Sequence, residues 1–156
     1  MPTRLLFLTL LLLLTLANSA WGRLGETEGA VITRYGKPHF KTHRPWGDDE
    51  GFTMNGFNIT VTFINGISQG ELFGLPGKVI SEEQAKSLLT ANSEGYLWDE
   101  VPKSELVPPA KQMWKKPNGS TAVLTGSYFE FKSAALIAAM EEVSKQKPDA
   151  PSTQGF

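Results

Sequence analysis

Two Asn-Gly dipeptides, Asn55-Gly56 and Asn65-Gly66, bracket the run from Phe57 to Ile64. A type I′ turn needs positive φ at both central residues, and Asn and Gly tolerate that best. Between the turns, Phe57, Ile59, Val61 and Phe63 alternate with Asn58, Thr60 and Thr62. Successive strand side chains point to opposite faces, so the run predicts a half-buried central strand with one apolar face. Phe52 to Met54 and Ile67 to Phe73 flank it as partners in an antiparallel meander.

A second meander follows the same logic. Met113 to Lys116, Ser120 to Thr125 and Tyr128 to Lys132 read as strands, separated by Pro117-Asn118-Gly119 and Gly126-Ser127. Ala122 and Leu124, like Phe129 and Phe131, alternate with more polar neighbours. Tyr96 to Val101 reads as a short strand, and Pro102 to Lys111 as an extended connection. His39 to Glu50 is polar and reads as a loop.

Three stretches predict helices. Gly25 to Pro38 carries Thr27 as a cap and Gly36 as a left-handed stop. Ser81 to Asn92 opens on a capping box of Ser81 and Gln84, with Ala85, Leu88 and Leu89 toward the core. Ser133 to Lys145 has Leu136, Ile137, Met140 and Val143 at helical spacing. The predicted class is α+β, an antiparallel meander sheet packed against two or three short helices, with a duplicated helix–meander order. The apolar face of the central strand is expected beneath both the Ser81 and the Ser133 helix.

At the N-terminus, Arg4 precedes an apolar run from Leu5 to Ala17, followed by Asn18, Ser19 and Ala20. This is the layout of a secretory signal peptide, and the run is short for a spanning helix. Small residues allow cleavage after Ser19, Ala20 or Gly22, placing the mature N-terminus between Ala20 and Arg23. The expected organisation is a leader over 1–20, one domain over 23–146 and a disordered Pro-, Ser- and Gly-rich tail over 147–156. Removing the leader leaves roughly 136 residues, enough for one core. The chain has no cysteine, which suits bacterial export better than a small eukaryotic secreted domain. No stable membrane insertion is expected after cleavage.

The side chains that carry chemistry do not assemble into a catalytic set, and no catalytic, cofactor or metal residue is assigned. Gly66-Ile67-Ser68-Gln69-Gly70 matches G-x-S-x-G, but a nucleophile elbow needs a strand before it and a helix after it. Ser68 instead leaves a hairpin turn and enters a strand. His39 and His43 have the i, i+4 spacing that would converge on zinc from a helix, yet Pro38 and Pro45 bracket them. Asp48-Asp49-Glu50 lacks the alternating spacing of a calcium loop. Trp46, Trp98 and Trp114 would build a glycan or small-molecule site only on a shared face. Lys111, Lys115 and Lys116 read as a solvated edge. With 15 basic and 16 acidic residues there is no excess positive charge, which argues against a nucleic-acid partner. Asn58-Ile59-Thr60 and Asn118-Gly119-Ser120 match glycosylation acceptors, but both asparagines already have strand or turn roles.

Arg34-Tyr35-Gly36-Lys37-Pro38, followed after a gap by Gly56-Phe57-Asn58-Ile59-x-Val61-x-Phe63-x-x-Gly66, resembles the small exported bacterial proteins of the SmpA/OmlA (BamE-like) type. Those are related in fold to β-lactamase inhibitor protein. The pattern is also similar to exported bacterial proteins without an assigned role, and covers about 25–73. The resemblance implies a non-catalytic α+β domain that binds another envelope protein through a sheet face or loop. This chain lacks the cysteine through which the outer-membrane members are lipid-anchored.

Overall fold

The computed structural model describes residues 22–146. The proposed leader over 1–20 and the tail over 147–156 lie outside the described residues.

Helix α1 (Glu28–Tyr35) is capped by the Thr27 hydroxyl, which accepts from the Ala30 amide, and stops at Gly36, whose φ is 84°. Strands β1 (Phe40–Arg44), β2 (Gly47–Met54), β3 (Phe57–Ile64) and β4 (Ile67–Gly74) follow as a continuous meander. Asn55 and Asn65 adopt positive φ, as the Asn-Gly turns require. Helix α2 (Glu82–Ala91) begins at the Ser81–Gln84 capping box. Then come β5 (Asp99–Glu100), a short 3₁₀ turn at Lys103–Glu105, β6 (Gln112–Lys115), β7 (Thr121–Leu124), β8 (Tyr128–Lys132) and α3 (Ala134–Gln146).

All strands pair antiparallel in one eight-stranded sheet of order β1-β2-β3-β4-β8-β7-β6-β5. Two four-strand meanders therefore meet along their last strands. Each is preceded by a helix, so the order repeats in the sheet as it does along the chain. Phe57, Ile59, Val61 and Phe63 are buried on one face, together with Phe73, Phe129, Phe131, Ala122 and Leu124. Val31 of α1 and Ala85 and Leu88 of α2 complete this core. Phe73 meets both Phe57 and Phe131 edge-on.

Three expectations need correction. His39 to Glu50 is not a loop: it supplies β1 and the first half of β2. Every residue of β1 is exposed, so no apolar alternation marks it, and its charged side chains suit a sheet edge. Only Asp99 and Glu100 of the Tyr96–Val101 stretch form a strand, and Leu97 is exposed. The third helix does not cover the apolar face. A β-bulge interrupts the β3–β4 register between Thr62 and Phe63, leaving Gln69 unpaired. The Ser133 amide donates to the Gln69 carbonyl (2.8 Å) and its hydroxyl to Gln69 Oε1 (2.6 Å). The same hydroxyl caps α3 by accepting from the Leu136 amide. The bulge thus starts α3 on the second face, where Leu136 sits over Gly70, next to Thr62.

Candidate functional site

The second face of the sheet is built around glycines. Gly51, Gly70 and Gly74 project no side chain from it, and a neighbour fills each place: the Phe40 ring over Gly51, Leu136 over Gly70, and the Tyr128 ring over Gly74. Cross-strand aromatic cover of a strand glycine restores contacts that the missing side chain forfeits. Leu136 is buried, but Phe40 is 44 % and Tyr128 52 % exposed. Between them, Thr60 and Leu72 stand side by side across β3 and β4. A groove of about 290 Å³ runs along Asn58, Thr60, Leu72, Leu75 and Tyr128. Its neighbour at the α3 end is an apolar recess of Pro45, Trp46, Met140 and Val143. The face is accessible, mixed in polarity and rimmed by aromatics.

The side chains singled out from sequence go to separate places. His43 Nδ1 lies 2.8 Å from Asp48 on the exposed edge, while His39 Nε2 faces the Thr53 hydroxyl at 3.4 Å. In an extended chain, residues four apart are separated by about 13 Å, so the two imidazoles do not converge. No group of three or more metal-ligating side chains occurs among the described residues. The three consecutive acids alternate across β2. Asp49 accepts from Arg44 Nε (3.1 Å) and the Thr62 hydroxyl (2.7 Å), whereas Glu50 is buried and meets Lys41 Nζ at 2.8 Å. Ser68 is buried in β4, accepting from the Glu26 amide and donating to the Arg23 carbonyl, so it anchors the N-terminal segment.

The tryptophans do not share a surface. Trp114 packs on Phe129 in the core, and Trp98 packs on Phe131 with its indole N–H donated to the Leu89 carbonyl. Trp46 stands on the β1–β2 turn beside Met140. Lys116 corrects another expectation: it is not a solvated lysine. Its ammonium is fully buried, donates to the Asn92 carbonyl and to Glu94 (3.0 Å), and lies 4.5 Å from the Trp98 ring centre.

A buried polar cluster near the start of the described chain was not legible in the sequence. Asn92 closes α2 and turns its side chain back. Its Oδ1 accepts from the Leu24 amide (3.0 Å), and its Nδ2 donates to the Gly22 carbonyl (3.1 Å) and more distantly to Glu71 Oε2 (3.4 Å). Glu71 is 1 % exposed. Burial is the main reason its carboxyl is pushed up to about 8, opposed by the Asn92 hydrogen bond and by Arg34. Tyr35 is held above the ordinary phenol range, first by burial and then by Glu71.

No protein-family model matches the chain, and no curated protein matches it. Among solved structures, the fold is similar to that of a cysteine-rich secretory protein from Staphylococcus aureus, with a TM-score of 0.50 and 10 % sequence identity. The similarity covers 76 % of this chain and 46 % of that one, so this chain spans less than half of that protein's length. At that identity the likeness concerns the fold alone.

Proposed function

We propose that this chain is an exported, non-enzymatic domain that binds another protein of the bacterial cell envelope. The observation that carries this reading is the second sheet face. Exposed apolar surface on a small domain is costly to keep unless something covers it, and aromatic residues rimming a mixed groove are typical anchors for a protein partner. Phe40 and Tyr128 have that character, and both rest on strand glycines that hold their rings in place. The leader-like N-terminus, the absence of cysteine and the resemblance to BamE-like proteins support an envelope setting.

The test is a purification from the native envelope fraction with the exported chain as bait. A partner retained by the native chain should be lost with Tyr128→Ser and Phe40→Ser, but kept with Leu97→Ser, which changes an exposed residue elsewhere. If the partner survives the first pair, the second sheet face is not the interface. One equivalent of tightly held zinc, lost in His39→Ala, would instead revive a metal-dependent activity.

A further inference from the structure

We propose that Glu71 is a pH-operated clasp on the strap that leads into α1, residues 22–27: as a neutral acid it lets the strap close over it, and on ionisation it draws in water and releases the strap. The inference does not depend on the partner proposed above.

Strand β8 pairs with β4 only from Gly70 onward, and the strap lies beside the earlier residues Ile67 and Ser68. The Gly25 amide donates to the Ser68 carbonyl (2.7 Å), and the Ser68 amide donates to the Glu26 carbonyl (2.8 Å). The Ser68 hydroxyl donates to the Arg23 carbonyl and accepts from the Glu26 amide. Asn92 holds the same segment from α2 through the Leu24 amide and the Gly22 carbonyl. Elsewhere a cleft of about 1030 Å³ separates residues 23–26 from Glu83, Lys86 and Thr90 of α2. The strap is therefore held by a row of hydrogen bonds and one buried apolar side chain, Leu24. A segment with so few buried contacts opens more easily than the sheet beneath it.

Glu71 stands under that strap. A Cβ built on Gly22 would overlap both Glu71 Oε1 and the Tyr35 hydroxyl oxygen, so the two oxygens meet beneath Gly22. Neither has a hydrogen-bond partner among the described residues, and Glu71 Oε2 has only the long Asn92 contact. The charged and titratable groups facing Glu71 come from each packed element: Arg34 and Tyr35 from α1, Glu26 from the strap, and Glu94 after α2. Glu50 lies in the same cross-strand row, beyond Val61. The cations nearby are committed to other acids. Arg34 forms a two-pronged pair with Glu26, Lys41 meets Glu50, and Lys116 is held by Glu94 and the Asn92 carbonyl. A carboxylate buried without a cation of its own is costly, and a neutral carboxyl is not. The proton belongs on Oε1, turned toward the Tyr35 oxygen, because Oε2 already faces the Asn92 N–H.

With the strap closed, burial holds Glu71 up at about 8; with the strap open, water returns it toward the ordinary 4.5. The closed strap therefore has its full advantage below pH 4.5, loses it progressively as pH rises, and has lost it once pH passes about 8. Only the carboxyl O–H breaks, and its proton goes to water.

The test reads hydrogen exchange of the Leu24 and Glu26 amides by NMR, on the full chain from pH 5 to 9, beside Glu71→Gln. Comparing the two proteins at equal pH cancels the base catalysis of exchange itself. The ratio of rates, native over variant, should climb by up to about tenfold per pH unit toward pH 8 and then level off. Both amides should exchange faster than those of β3 throughout. In the native chain the Glu71 carboxyl resonance should titrate over the same interval, which decides the matter even if Glu71→Gln does not fold. A ratio that stays flat with pH, or a Glu71 carboxyl already ionised at pH 6, overturns the proposal. So do strap amides that exchange no faster than those of β3, because the event is then unfolding of the whole domain.

Discussion

Thr62 and Phe63 are neighbours on β3 with opposite surroundings. Phe63 is buried in the aromatic core, while Thr62 is half-buried and hydrogen-bonded to Asp49 at 2.7 Å. Truncating a buried aromatic to Ala costs roughly 3–5 kcal/mol, and losing one such hydrogen bond about 1. Phe63→Ala should therefore come close to unfolding the domain, and Thr62→Ala should leave it clearly folded in chemical denaturation. Equal losses would mean that both faces are packed alike, leaving no open groove. The strand's polarity could be read from sequence because four large apolar residues at alternate positions have only one way to be buried. Glu71 could not. A lone acid in an alternating strand reads as a solvent-facing residue, and only the fold reveals that Asn92, from 21 residues further on, covers it.

The placement of α3 is decided by an element that is not in the helix. Its apolar stripe was visible in sequence, but the sheet face it would take was not. The Gln69 bulge docks Ser133, and Gly70 leaves the space that Leu136 enters. Gly70→Ala should therefore destabilise by about 1–3 kcal/mol through overpacking, since the added methyl meets Leu136. Combined with Leu136→Ala, the same change should cost measurably less than the sum of the single changes. Strict additivity in that double-mutant cycle would show that Leu136 does not set the packing of α3. Strand β1 failed the sequence reading for a related reason. An exposed edge strand needs no apolar period, so FKTHR carries none, and its pairing with β2 comes from the turn at Pro45-Trp46 and from backbone hydrogen bonds.

Across the whole molecule, two meanders share one core, and the helices divide between the faces of the sheet. With α1 and α2 on the apolar side and only α3 on the other, the sheet is sealed on one face and partly open on the second. The fold class and the repeated order of elements were legible because turn chemistry and alternation act locally. The open groove was not, because it depends on strand glycines paired with rings from other strands. The proposed function stands on the partly open face. The most direct measurement places a photo-crosslinking residue at Tyr128, at Phe40 and, as a control, at Leu97 in the exported chain within its native envelope. The account predicts one discrete cross-linked species from Tyr128 and Phe40 and none from Leu97. Cross-links from Leu97 alone, or none from either position on the second face, would contradict it.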